Sequence, residues 1–150
     1  MVDGVGTAAR FASPRGIALD NEGNIYIADQ NNHAIRKITP SGRVTTLAGN
    51  GTAGYADGVG KSARFNQPLA IAVDAEGNVY VSDNYNHRIR KISPAGLVTT
   101  VAGSGTAGNL NGVGVSAAFN RPYGLWVDPS GNVIYVADAY NHNIRRIDME

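Results

Sequence analysis

Aspartate, histidine and arginine recur together three times along this chain: Asp29, His33 and Arg36; Asp83, His87 and Arg90; Asp138, His142 and Arg145. These residue types suit two chemistries. Three histidines could hold a zinc ion, and a carboxylate beside a base could move a proton. Catalysis needs one asymmetric site, however, and here the same set stands in every copy. An ion pair for each Asp and Arg, within or between structural units, is the better reading, because structural networks also gather charged groups. Asp20-Asn21-Glu22-Gly23 opens like a calcium loop but lacks the alternating ligands and terminal glutamate of one. Gly49-Asn50-Gly51-Thr52-Ala53-Gly54 and Gly58-Val59-Gly60-Lys61-Ser62 are glycine-rich. Neither has the Gly-Lys-Ser/Thr ending and following helix of a phosphate loop. No catalytic residue, metal ligand or cofactor is therefore assigned.

The elements that carry these residues repeat. Asp3-Gly4-Val5-Gly6 returns as Asp57-Gly58-Val59-Gly60 and as Asn111-Gly112-Val113-Gly114, and Phe11, Phe65 and Phe119 follow at equal offsets. The period is about 54 residues, in the range of solenoids and propellers. It divides the chain into 3–56, 57–110 and 111–150, with one extra residue near Ile134 in the last copy. Each copy shows four strand signals, in the first at 16–20, 24–29, 34–38 and 43–47, rich in β-branched residues and separated by Gly, Pro and Asn turns. The third copy stops before its fourth. Four antiparallel strands at fixed spacing describe propeller blades, so the fold class is all-β.

Composition agrees. The 150 residues include 19 glycines and no cysteine, with 43% hydrophobic residues, 17% charged and a net charge of +1. Zero cysteines exclude disulfides and thiolate metal sites. Near-neutral charge argues against duplex DNA as a partner. No apolar run approaches the ~18 residues of a membrane span. That, with the absence of cysteine and of a signal peptide, slightly favours a cytoplasmic location.

Gly23-Asn24-Ile25-Tyr26-Ile27-Ala28-Asp29 with Asn32-His33-Ala34-Ile35-Arg36 resembles the NHL repeat. Gly77-Asn78-Val79-Tyr80-Val81-Ser82-Asp83 with Asn86-His87-Arg88-Ile89-Arg90 resembles it again, as does Tyr135-Val136-Ala137-Asp138 with Asn141-His142-Asn143-Ile144-Arg145. The resemblance implies a propeller, six-bladed as a rule in that family. It also implies a binding platform for proteins or RNA more often than an enzyme. In such a ring the middle hairpins, and with them the histidines, lie ~14 Å from the axis for strands ~4.8 Å apart. Zinc requires its ligands at ~2 Å. Each histidine is therefore expected to hydrogen-bond within its own hairpin.

Three blades leave an apolar face at each end, larger than a soluble monomer tolerates. A homodimer that completes a six-bladed ring is expected, with blade 1 of one chain against blade 3 of the other. Trp126, which replaces Ala18 and Ala72 on the terminal blade, is the candidate interface anchor. An engineered or excised piece of a longer propeller would read the same way. Function is sought where the copies differ on the face shared by the crossings and middle hairpins. Those positions are Ser13, Gln67 and Arg121; Arg15, Leu69 and Tyr123; Asn31, Tyr85 and Tyr140; and Arg88. Exposed Tyr and Arg suit recognition of a protein or peptide. A lyase- or lactonase-like enzyme is the first alternative, disfavoured because the inner strands offer no His or Glu. RNA binding through Arg15, Arg88, Arg121 and Tyr85 is the second.

Overall fold

The computed structural model describes residues 1–149. Glu150, the last residue of the third repeat, lies outside them. Blade 1 comprises β1 (Gly4–Val5), β2 (Pro14–Leu19), β3 (Ile25–Asp29), β4 (Ala34–Ile38) and β5 (Arg43–Ala48), in sheet order β1-β5-β4-β3-β2. Blade 2 repeats this with β6 (Gly58–Val59), β7 (Pro68–Val73), β8 (Val79–Asp83), β9 (Arg88–Ile92) and β10 (Leu97–Ala102). Blade 3 has three strands, β11 (Pro122–Val127), β12 (Val133–Asp138) and β13 (Asn143–Asp148). All pairings are antiparallel. Among the described residues no helix is long and apolar enough to cross a membrane.

The sequence indicated four strands per blade. The structure adds a fifth of two residues, because the crossing is tied to the outer strand. In blade 1 the Asp3 carboxylate accepts the Thr46 backbone N–H at 3.1 Å and its hydroxyl at 2.9 Å. That draws Gly4 and Val5 into register with Val44 and Arg43. The extra residue of the third copy falls in the turn after β11. There Asp128 N–H reaches Val133, one residue further along than the equivalent bonds from Asp20 to Asn24 and from Asp74 to Asn78.

The inner strands β2, β7 and β11 lie side by side. Gly16 marks the closest approach: a Cβ there would stand 2.5 Å from the Leu69 carbonyl oxygen. Apolar residues fill two cores between blades rather than one within each. Tyr26, Ala28, Ile35 and Ala48 of blade 1 meet Phe65, Ile71, Val79, Val81 and Val98 of blade 2. Tyr80, Ile89 and Ala102 of blade 2 meet Phe119, Val127, Ile134 and Val136 of blade 3. A strand buried on both faces reads as a nearly continuous apolar run, as Val79-Tyr80-Val81 does.

The two ends of the arc present the same positions uncovered. Phe65 and Ile71 are 0% and 7% exposed, whereas their blade 1 equivalents Phe11 and Ile17 are 36% and 60% exposed. Tyr80 and Ile89 are both 0% exposed, whereas Tyr135 and Ile144 of blade 3 are 40% and 70%. Trp126 belongs to that second open face, its ring 6.1 Å from Tyr135.

Candidate functional site

The recurring aspartates and arginines form one network in triplicate. Arg36 and Asp29 pair at 2.8 Å, Arg90 and Asp83 at 2.6 Å, and Arg145 and Asp138 at 2.9 Å. The first two pairs are fully buried. Each aspartate also accepts a backbone N–H from the crossing, at Ala12, Asn66 or Asn120, and the amide of Asn32, Asn86 or Asn141. Each guanidinium continues to the crossing, where Arg36 donates to Asp3 and Arg90 to Asp57, and stacks on Phe11, Phe65 or Phe119 at 4.8 to 4.9 Å. With every carboxylate oxygen occupied by donors, these groups bind crossing to blade. Asp20 is likewise filled: its carboxylate accepts the N–H groups of Glu22 and Asn24, the Asn24 amide and the Tyr26 hydroxyl. Burial works against its charge, but those hydrogen bonds prevail and hold it below the usual carboxylate range.

The histidines depart from the expectation of a bond inside their own hairpin. Each ends a short 3₁₀ turn (Gln30–Asn32, Asn84–Asn86 or Ala139–Asn141) in the left-handed region, at φ 50°, 54° and 56°. That conformation turns the ring toward the next blade. His33 Nδ1 accepts the Gln67 N–H at 3.1 Å, and His87 Nδ1 accepts that of Arg121 at 3.0 Å. The acceptor sites explain a second oddity: Ser13, Gln67 and Arg121 are themselves left-handed, at φ 51°, 52° and 51°. Among the described residues the His142 ring and the Ser13 N–H make no hydrogen bond.

The variable positions gather as the topology requires. Asn31 donates its backbone N–H to Ala12 and its amide to the Ser13 hydroxyl, so hairpin and crossing share a face. Arg15, Leu69 and Tyr123 line one shallow pocket of about 250 Å³ with Gly16, Ala70 and Gly124. Leu69 forms its buried floor, while Tyr123 is exposed. Arg121 lies over Tyr85 at 4.2 Å and over Tyr140 at 5.0 Å, and both rings are exposed. Gln67 accepts the amide of Gln30, whose own oxygen accepts Arg15 Nε. Arg88 stands apart from this group. Its guanidinium covers Tyr55 at 3.6 Å and donates to the Ser104 carbonyl, beside the outer strand β10.

Three contributors were not singled out in the sequence. Gln30 links Arg15 to Gln67, and Tyr55 stacks under Arg88. Ser82 accepts the Ala70 N–H and donates to the Tyr123 carbonyl. Gln30 and Ser82 carried a readable signal, since their equivalents differ between copies: Asn84 and Ala139 for the first, Ala28 and Ala137 for the second.

Stacked antiparallel blades, joined by a crossing that each blade's Asp–Arg pair ties down, define a β-propeller segment. The chain matches the NHL repeat at residues 11–38, 65–92 and 119–147, and it belongs to that family. It is 36% identical over 156 residues to NHL repeat-containing protein 2 of Bos taurus, covering 95% of this chain and 22% of that protein. It is 33% identical over 137 residues to peptidyl-glycine alpha-amidating monooxygenase A of Xenopus laevis, covering 90% of this chain and 14% of that one. Among solved structures it resembles an auxiliary nutrient binding protein from Bacteroides ovatus. The TM-score is 0.76 at 28% identity, over 89% of this chain and 37% of that one. The chain thus spans well under half the length of each relative.

Proposed function

We propose that two copies of this half-ring close a six-bladed propeller that serves as a binding platform for peptides. The observation that carries the platform is Arg121 held against the exposed Tyr85 and Tyr140 rings, beside the pocket of Arg15, Leu69 and Tyr123. Stacking on aromatic faces keeps a guanidinium extended while leaving donors free. Two arginines among exposed tyrosines suit a peptide with an acidic side chain or terminal carboxylate. The auxiliary nutrient binding protein, a likeness at 28% identity, supports a binding role.

Ring closure is supported by the two ends of the arc. Phe11, Ile17 and Leu19 at one end and Trp126, Tyr135 and Ile144 at the other occupy positions that are covered between blades 1, 2 and 3. His142 and the Ser13 N–H then form the acceptor and donor that His33 and His87 already pair within the chain. Apolar area of this kind contributes roughly 25 cal/mol per Å² removed from water.

The platform is tested by screening an array of acidic and neutral peptides against the full chain. Acidic peptides should be selected, and Arg121→Ala or Tyr140→Ala should weaken them by about tenfold, the loss of one interface anchor. Equal capture of neutral peptides would contradict the reading. A lyase-type enzyme is the second reading, favoured by the 26% identity over 140 residues to a probable peptidyl-alpha-hydroxyglycine alpha-amidating lyase of Caenorhabditis elegans, over 92% of this chain and 37% of that one. Turnover of α-hydroxyglycine peptides by purified protein with added divalent metal would establish it.

A further inference from the structure

Where the crossing from blade 2 enters β11, the residues from Asn120 to Tyr123 each have a fixed hydrogen-bond partner. Asn120 is held by its own blade. Its N–H reaches the Asp138 carboxylate at 2.8 Å, and its carbonyl accepts the Tyr140 N–H at 3.1 Å. The next three are held by side chains of blade 2. His87 Nδ1 accepts the Arg121 N–H at 3.0 Å, the Asn84 amide donates to the Pro122 carbonyl at 3.0 Å, and the Ser82 hydroxyl donates to the Tyr123 carbonyl at 2.6 Å. Ser82 is wholly buried and Asn84 nearly so. Arg121 and Tyr123, gripped in this way, carry side chains of the binding face.

A break in the β7–β8 ladder explains how a serine reaches that carbonyl. The register shifts between Pro68 and Ile71, opposite Ser82. Ser82 Oγ accepts the Ala70 N–H there at 2.8 Å and donates its own proton to the Tyr123 carbonyl. Hydrogen bonds linked in a chain polarise and strengthen one another. The junction between blades 1 and 2 is built differently. Ala28 stands in place of Ser82. Gln30, in place of Asn84, donates to the Gln67 side chain at 3.0 Å rather than to backbone. Among the described residues, His33 is the single blade 1 side chain bonded to the backbone from Asn66 to Leu69.

We propose that Ser82 and Asn84 are positioning residues for the binding face, which together with His87 present Arg121 and Tyr123 to the ligand in one fixed arrangement. For the ligand this rests on the peptide platform proposed above; the fixed arrangement stands without it. Arg121 is left-handed at φ 51° and precedes a proline. A residue other than glycine stays in that region only where its surroundings over-determine it. The bonds from His87 and Asn84 flank Arg121 on both sides and supply that restraint. The guanidinium is thereby kept against Tyr85 and Tyr140. The Ser82 bond likewise keeps Tyr123 at the pocket it shares with Leu69 and Arg15. A ligand then meets side chains that are already ordered, so less conformational freedom is lost on binding. The blade itself requires neither group, since Ala28 and Ala137 stand in place of Ser82, and Ala139 in place of Asn84.

The test compares the full chain with its variants Ser82→Ala and Asn84→Ala, each of which takes the residue that another blade already carries at that place. Nuclear magnetic relaxation of the Arg121 Nε–H and of the Tyr123 amide reads their order without ligand. Fluorescence anisotropy of a labelled peptide of alternating alanine and glutamate reads affinity. Both groups should be rigid in the wild type. Asn84→Ala should free Arg121, and Ser82→Ala should free Tyr123, on the nanosecond timescale. The Gln67 amide, held by His33, should stay rigid in both. Affinity should fall by about fivefold in each variant, as expected when binding must order a side chain that was free. Unchanged order at Arg121 and Tyr123 would overturn the proposal whatever the affinity does, because a lost affinity would then be a general structural effect. Order lost with affinity for the peptide kept would overturn it as well. If the wild type binds no such peptide while the variants still lose order, the peptide platform is contradicted and the positioning role is supported.

Discussion

The imidazole of His33 reaches out of its own blade and accepts the backbone N–H of Gln67 at 3.1 Å. It can do so only with Nδ1 unprotonated, and the same holds for His87 and Arg121. Burial holds both histidines below their ordinary range, and the Arg121 charge adds to this at His87. As pH falls, the unfolded chain takes up these protons first. Stability is therefore complete above an unfolded pKa of about 6.5 and declines below it until the folded values are passed. Urea midpoints should be flat above about pH 7 and drop on acidification below the ordinary histidine value. The double variant His33→Asn, His87→Asn keeps a carbonyl acceptor and tolerates the left-handed backbone, so its midpoint should lose most of this slope.

The buried Arg90–Asp83 pair should dominate surface pairs in stability. Arg90→Met leaves the Asp83 carboxylate without its cation in a fully buried place. Urea unfolding should show a loss of about 3–5 kcal/mol. Arg146 pairs with Asp148 at 2.6 Å, but both side chains are more than half exposed. Arg146→Ala should leave the urea midpoint nearly unchanged, because solvent screens an exposed pair.

Two glycines on the inner strands should separate protomer stability from association. Gly16→Ala places a methyl against the Leu69 carbonyl and Ala70 Cα within one chain, and should cost about 1–3 kcal/mol in urea unfolding. Gly124 is the equivalent in blade 3, and its nearest neighbour would be 3.8 Å away, in its own blade. Gly124→Ala should leave unfolding of the isolated chain nearly unchanged while raising the dissociation constant of the dimer measured by sedimentation.

Much of the blade was legible in the sequence because glycine, proline and alternating β-branched residues fix turns and strands locally. β2 to β5 lie within one or two residues of the expected segments. The pairing of Asp29 with Arg36 was readable for the same reason, since both sit at matching places in every copy. What escaped was contact between copies. The His33 to Gln67 bond depends on two left-handed residues, neither of them glycine, that sequence gives no cause to place there. The short strand β1 depends on Asp3 meeting Thr46, 43 positions away. Arg88 looked equivalent to the other face residues, yet Tyr55 and Ser104 hold it by the outer strand.

The most direct test of the half-ring is its mass in solution by sedimentation equilibrium at micromolar concentration. Closure predicts about twice the 15.7 kDa of one chain. It also predicts return to a single chain for Trp126→Asp, which sets a charge on the face that must be covered. A wild-type chain that stays at 15.7 kDa as concentration rises would contradict the closed ring.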